Sequence, residues 1–273
     1  MSLSAFEASR KSQSPVELFL FRYGSDPLAY FAFTDHTQQV VYDGITYLPE
    51  PIKRGEINSQ QGLDKSEMAV ETRLNNPVSE LFRIYPPSSP VMLTIRAGHL
   101  TDPDQEFGVI WVGRVQQVTR IKQTSKLSCT PASSAMRRTG LRRHYQLTCP
   151  HVLYDQENGS CRANKGAATT PAVPIVALAY LEVTFAAAWF GALDPVKFIG
   201  GLVEWDGALG REYRTIIRVE PDGLTLSLNA PTTGLDIGSL VDVVLGCNHQ
   251  LEDCETLHNN VVNFGGMPFI PQD

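Results

Sequence analysis

Five cysteines stand in this 273-residue sequence, and four of them fall into two pairs. Cys149 and Cys161 are separated by eleven residues, Cys247 and Cys254 by six, and the pairs lie 85 residues apart. Each pair flanks polar, turn-forming sequence, Asp155–Ser160 in the first and Asn248–Asp253 in the second. Thiolates are soft ligands, and four of them from two loops can enclose a metal ion or an iron–sulfur cluster. Cys149 precedes Pro150 and Cys247 follows Gly246, which suits sharp loops holding sulfur around a centre. The Cys-x-x-Cys knuckles of a zinc ribbon and the runs of common ferredoxins are absent from the sequence. Two unrelated loop disulfides, or plain buried thiols, satisfy the same spacing. Cys129 differs, because Lys126-Leu-Ser-Cys-Thr130 reads as a strand and its thiol is expected in the core.

The other reactive side chains build no recognisable catalytic pattern. The six histidines are His36, His99, His144, His151, His249 and His258. Cys149-Pro-His151 places a thiol and an imidazole close in sequence, whereas Cys/His hydrolases bring distant residues together through the fold. There is no Gly-x-Ser-x-Gly elbow, phosphate loop, His-Glu-x-x-His helix or dinucleotide fingerprint in the sequence. A non-enzymatic protein is therefore expected. The alternative is a metal-dependent enzyme, either an iron–sulfur redox enzyme or a Cys/His hydrolase. Arg137, Arg138, Arg142 and Arg143 form a basic run whose readings are a subunit contact, a solvated linker or a DNA contact.

The elements that must position the cysteines read mostly as β. Val16–Tyr23, Leu28–Phe33, Met68–Leu74, Val91–Ile95, Gly108–Val118 and Ser125–Thr130 are enriched in β-formers. Asp43-Gly44 between Gln39–Tyr42 and Ile45–Leu48 predicts a tight hairpin. Asn76-Pro77 predicts the start of a short helix reaching Ile84, with Asn76 as its cap. After the arginine run, strands are expected at Val196–Ile199, Gly201–Trp205, Glu212–Glu220, Leu224–Leu228 and Leu240–Leu245, with a second hairpin turn at Asp222-Gly223. His249–His258 has helical composition, and Asn259–Asp273 reads as a coil. The expected fold is mainly β, with two β-barrel or sandwich-like domains and few short helices. The expected domains are 1–143 and 144–273.

Composition narrows the function classes. Gly and Pro, 21 and 18 residues, are far from a low-complexity level, and 42% apolar residues can build real cores. A net charge of −6 argues against a general nucleic-acid binder. Only 19% of residues are charged, which leaves surface for contact with other proteins. The N-terminus has no apolar run after a basic start, so no secretory leader is read there. Ala172–Leu193 is long and apolar enough to span a bilayer, but Pro174 and Glu182 interrupt it. Two buried strands, or a strand and a short helix, are expected there, and no membrane association of the chain by itself.

Gly246-Cys247, Cys254, Asn260 and Asn263-Phe264-x-Gly266-x-Pro268-x-x-Pro271 together resemble the C-terminal signature of the tail-hub proteins of long-tailed phages and gene transfer agents. Cys149-x-His151-x-Leu153-Tyr154 followed by Cys161 is similar to the upstream cysteine motif of that family, which includes minor tail protein L of lambdoid phages. The resemblance implies a [4Fe-4S] cluster on Cys149, Cys161, Cys247 and Cys254, with zinc as the alternative metal. It also implies a structural baseplate hub, a trimeric ring between the distal tail protein and the central fibre or spike protein, with the tape measure protein as a further partner. The implied location is the virion tail tip, after assembly in the host bacterial cytoplasm. Two departures stand out: the first cysteine loop is long for the family, and His258 occupies a position expected to be aromatic.

Overall fold

A computed structural model describes residues 15–57, 67–102, 104, 106–137 and 144–270. The chain divides into two compact units, 1–138 and 139–273. The fold is mainly β, with a nine-stranded sheet in the first unit and a closed six-stranded barrel in the second. Of the basic run, Arg138, Arg142 and Arg143 lie outside the described residues, as does Pro271 of the tail.

In the first unit the strands are β1 (Pro15–Tyr23), β2 (Tyr30–Thr34), β3 (Val40–Tyr42), β4 (Ile45–Pro49), β5 (Lys53–Arg54), β6 (Met68–Arg73), β7 (Val91–His99), β8 (Gly108–Ile121) and β9 (Thr124–Pro131). They are ordered β3-β4-β2-β1-β7-β8-β9-β6-β5. Both faces of β1 are buried. Val16, Leu18 and Leu20 pack with Tyr47 and Phe107, while Phe19 and Phe21 on the other face pair in register with Ile95 and Leu93. The predicted hairpin forms at Asp43 and Gly44, whose φ values of 52° and 74° are the two positive angles that a two-residue turn demands. Helix α1 (Pro77–Leu81) starts as expected, with the Asn76 side chain accepting from the Val78 amide at 3.0 Å. Cys129 is 1% exposed in β9, a core thiol whose pKa burial pushes up to about 12.

Glu50, after β4, is a buried carboxylate held by Arg73 at 2.5 Å and by Asn76 and Thr72. Burial alone would raise its pKa, but these donors outweigh burial and hold it below the ordinary carboxylate value.

The second unit contains β10 (Thr169–Leu178), β11 (Glu182–Phe185), β12 (Leu202–Gly207), β13 (Gly210–Val219), β14 (Thr225–Leu228) and β15 (Leu240–Val244), closed in the order β10-β11-β14-β13-β12-β15. The apolar stretch that invited a membrane test is thus a hairpin of two strands. Among the described residues no helix is long and apolar enough to cross a membrane. Val173, Ile175, Val183, Phe185, Val203, Trp205, Ile216, Leu226 and Val243 fill the barrel core. Closure leaves no free sheet edge. Register shifts in β10 and β13 supply the local bends that closure needs.

One expected strand is absent. Residues Pro195–Phe198 form a 3-10 turn, because Asp194 caps the Val196 amide and Pro195 occupies the first position, while Phe198 drops into the core at 0% exposed. Asp222-Gly223 does turn β13 into β14. Only Gly223 takes a positive φ, and Asp222 instead accepts from the Leu224 and Thr225 amides.

The strand ends set where the cysteines go. Thr169, at the start of β10, is in register with Val244 at the end of β15, and the Leu245 amide donates to the Ala168 carbonyl at 2.9 Å. The chain leaving the first cysteine pair and the chain entering the second therefore lie side by side. Gly246 makes this approach possible, since a Cβ there would stand 1.8 Å from the Ile199 carbonyl oxygen.

Two outcomes follow from these packings. Gly246→Ala is expected to lower unfolding free energy by about 2 kcal/mol, as forced backbone displacement does, read from urea denaturation by tryptophan fluorescence. For Glu50, the folded pKa lies below the unfolded one, so its stabilisation is present above the ordinary carboxylate pKa and is lost as pH falls through the folded value. Acid denaturation of Glu50→Gln should accordingly begin from a lower stability at neutral pH and show a shallower loss on acidification.

A four-cysteine candidate site at one end of the barrel

All four predicted ligands come together. Cys149, Cys161, Cys247 and Cys254 line one pocket, with His151, Leu153, His249, Gln250, His258, Asn260 and Asn263 completing its wall. All five cysteines of the chain are free thiols. Among the described residues, no three His, Cys, Asp or Glu side chains converge closely enough to hold a single metal ion.

The first pair is carried by a loop that ties itself. Asp155 and Arg162 close it through the Arg162 amide and the Asp155 carbonyl at 2.7 Å, and Ser160 Oγ donates to the same carbonyl at 2.8 Å. Gln156 Nε2 donates to the Tyr154 and Ala163 carbonyls across its neck. The eleven intervening residues therefore form a compact bulge that returns Cys161 to the site. Tyr154 anchors the bulge to the barrel: its hydroxyl donates to the Leu245 carbonyl at 2.6 Å, and burial pushes its pKa up.

The second pair follows β15 directly. Cys247 sits in the turn entering helix α2 (Leu251–Thr256), and Cys254 is buried on that helix. Asp253, 3% exposed, accepts from the Asn248 amide and from Lys197 Nζ at 2.8 Å, pinning the turn from behind. The two loops then clasp each other. The Cys149 amide donates to the His249 carbonyl at 2.8 Å, and the His249 ring Nδ1 lies 2.9 Å from the Cys149 carbonyl. A carbonyl only accepts, so His249 Nδ1 carries the proton.

Donors surround the sulfurs. The His249 amide donates to Cys247 Sγ at 3.3 Å, the Gly265 amide to Cys149 Sγ at 3.4 Å, and Asn260 Nδ2 lies 3.8 Å from Cys161 Sγ. N–H groups aimed at sulfur stabilise thiolate and tune a bound metal. Burial, followed by the charges of the neighbouring sulfurs, raises the Cys254 pKa to about 11; burial also raises that of Cys247. Four thiolates so close repel one another, and a positive group among them removes that repulsion. The donor set, the pocket and the electrostatics fit a cationic metal centre.

His258 donates through Nε2 to the Gly246 carbonyl at 2.9 Å and packs edge-to-face on Tyr154, with ring centroids 5.7 Å apart. It fills the aromatic position as a ring with a polar handle. Its Nδ1 and both ring nitrogens of His151 are buried without a hydrogen-bond partner among the described residues. The tail closes over the site: the Met267 amide donates to the Gln146 carbonyl, and a Cβ on Gly265 would stand 2.5 Å from His151 Nε2. Sequence reasoning gave Gly265 and His249 no role. For Gly265 the available signal was its pairing with Gly266; His249, one polar residue between Asn248 and Gln250, offered none.

Residues 197–273, which carry the second pair and the tail, match the family described as phage conserved hypothetical protein BR0599. An uncharacterized protein of Xylella fastidiosa is 28% identical over 180 residues, 61% of this chain. The matched part is 36% of that relative's length, so the chain spans little more than a third of it. A chain from the virion of a native gene transfer agent particle is similar in structure, with a TM-score of 0.79 at 21% identity. That similarity covers 100% of this chain and 93% of the other, and it shows a shared fold.

Because Gly265 lies against the His151 ring, Gly265→Ala is expected to lift the tail from the first cysteine loop. Overpacking by about 1.4 kcal/mol corresponds to roughly tenfold faster hydrogen exchange at the Met267 amide. Exchange at the wild-type rate would show that the contact is not needed to hold the tail.

Proposed function

We propose that the chain is a structural, non-enzymatic protein of a phage or phage-like particle. More specifically, it would act as a tail-tip hub subunit whose four cysteines hold a [4Fe-4S] cluster. The observation that carries the particle role is the likeness in fold, over the whole chain, to a chain of a gene transfer agent virion. The phage family match over the second pair and tail supports the same reading. The ring position follows from the sequence resemblance: a homotrimer between the distal tail protein and the central fibre or spike protein, with the tape measure protein as a neighbour. The low charged fraction suits a subunit that buries much of its surface against others.

The cluster reading rests on the pocket shared by Cys149, Cys161, Cys247 and Cys254. When bound, such a cluster supplies four iron corners, each satisfied by one cysteine sulfur, and so acts as a cross-link without an open position for substrate. The chain's own residues do the rest. Tyr154 and the β10–β15 register bring the two loops together, Asp253 and Lys197 brace the second, and the His249 and Gly265 amides face sulfur. Structural zinc sites contribute roughly 10–16 kcal/mol of apparent binding free energy, comparable to the whole stability of a typical domain.

The test is composition after anaerobic purification. About four irons and four acid-labile sulfides per chain, with a visible charge-transfer spectrum, are expected. Zinc without sulfide would overturn the cluster and leave the particle role standing. Cys247→Ser should abolish the bound metal while the first unit stays folded by circular dichroism. The particle role is tested by location: the chain should be recovered in purified tails or particles, and its absence from them would end that reading.

A further inference from the structure

Asn260 touches both cysteine pairs. It is 8% exposed, its amide donates to the Cys254 carbonyl at 2.9 Å, and its own carbonyl accepts from Cys254 Sγ at 3.3 Å. Its side-chain Nδ2 donates to the Cys161 carbonyl at 2.5 Å and lies 3.8 Å from Cys161 Sγ. Its Oδ1 accepts from Asn263 Nδ2 at 2.7 Å. The orientation of the amide follows from these partners, since the Cys161 carbonyl only accepts and Asn263 presents a donor. Cys149 and Cys247 receive their N–H groups from backbone amides, whose placement the chain path dictates. Cys161 receives its N–H from a side chain, and a side chain can point elsewhere unless something turns it.

We propose that Asn260 is a positioning residue for the Cys161 thiolate, and that Asn263 acts behind it as the group that keeps its N–H turned toward Cys161. This rests on the reading that the four cysteines hold a metal centre. The logic is electrostatic as well as geometric. A metal-bound sulfur carries negative charge, and hydrogen bonds to a charged acceptor are about twice as strong as neutral ones. The same side chain ties the tail to the first loop, so a ligand from one pair and the backbone of the other are set together. The motif residues Asn260 and Asn263 thereby gain distinct tasks: one faces the sulfur and one orients the first.

Asn260→Asp keeps the shape, removes the donor and sets an acceptor against the Cys161 carbonyl and sulfur. Asn263→Ala leaves Asn260 in place and frees its amide to turn. Wild type and both variants, as full chains purified anaerobically, are compared by chelator-driven metal release and, for the iron-loaded protein, by midpoint potential. Release from Asn260→Asp is expected to be about 10–100-fold faster, the usual effect of removing a group that orients a metal ligand. Asn263→Ala should shift in the same direction to a smaller extent. The midpoint potential should fall in both, since a lost N–H leaves more electron density on sulfur. If Asn260→Asp fails to fold, Asn263→Ala decides. Wild-type release rates and potentials in the folded variants would overturn the assignment while the metal centre stands. If the wild type holds zinc without sulfide, the cluster reading falls and zinc release, with the sulfur-to-metal band of the cobalt-substituted protein, judges Asn260. A wild type that retains no metal would remove both.

Discussion

The pairing of the first barrel strand with the last is the contact on which the candidate site depends. Thr169 stands opposite Val244. That one register point brings the exit of the first cysteine loop against the entrance of the second, although 85 residues separate Cys161 from Cys247. Closing a loop of that length by a flexible chain costs entropy. The barrel meets that cost with its own core before any sulfur is considered, because Trp205, Val203, Val243 and Ile216 are all essentially buried. Gly246 is the steric condition for this arrangement, as its missing side chain lets the strand end pass the Ile199 carbonyl. The cysteines thus inherit their proximity from strand pairing.

Proximity creates an electrostatic problem that the surroundings partly answer. Burial, and after it the charges of Cys247, Cys149 and Cys161, raise the cost of ionising Cys254. Amides from His249 and Gly265 and the carboxamide of Asn260 offset part of that cost with N–H dipoles. Burial keeps Cys254 neutral in the free protein, and a bound cation that displaced its proton would offset the charge of the thiolate. A cation is the natural complement.

Much of the frame was legible because it rests on local rules. Asp43-Gly44 needed only backbone sterics, and Asn76-Pro77 only a cap and a fixed φ. The barrel strands were visible from their β-formers, and the four cysteines that share the pocket stood out by residue type and resemblance. What escaped was set by context. Val196–Ile199 looks like a strand by composition, yet the Asp194 cap and Pro195 favour a turn and the core takes Phe198. The long spacing of the first pair gave no hint that Ser160, Gln156 and Arg162 would draw the loop closed through the Asp155, Tyr154 and Ala163 carbonyls. His249 was one histidine among six. Only the fold, by placing it across from Cys149, shows that its ring and carbonyl clasp the other loop.

The tail shows how unevenly stability is distributed over the second unit. The barrel buries a continuous apolar core, whereas Val262 and Phe269 of the tail are 97% and 89% exposed. The tail is therefore held chiefly by directional contacts: Asn260 on Cys161 and Cys254, Gly265 on Cys149, and Met267 on Gln146. Segments with few buried apolar contacts open at low free energy unless something else orders them. Three of these four partners are candidate metal ligands, so whatever immobilises the sulfurs also immobilises the tail. Order in residues 259–270 is in this sense a readout of the site.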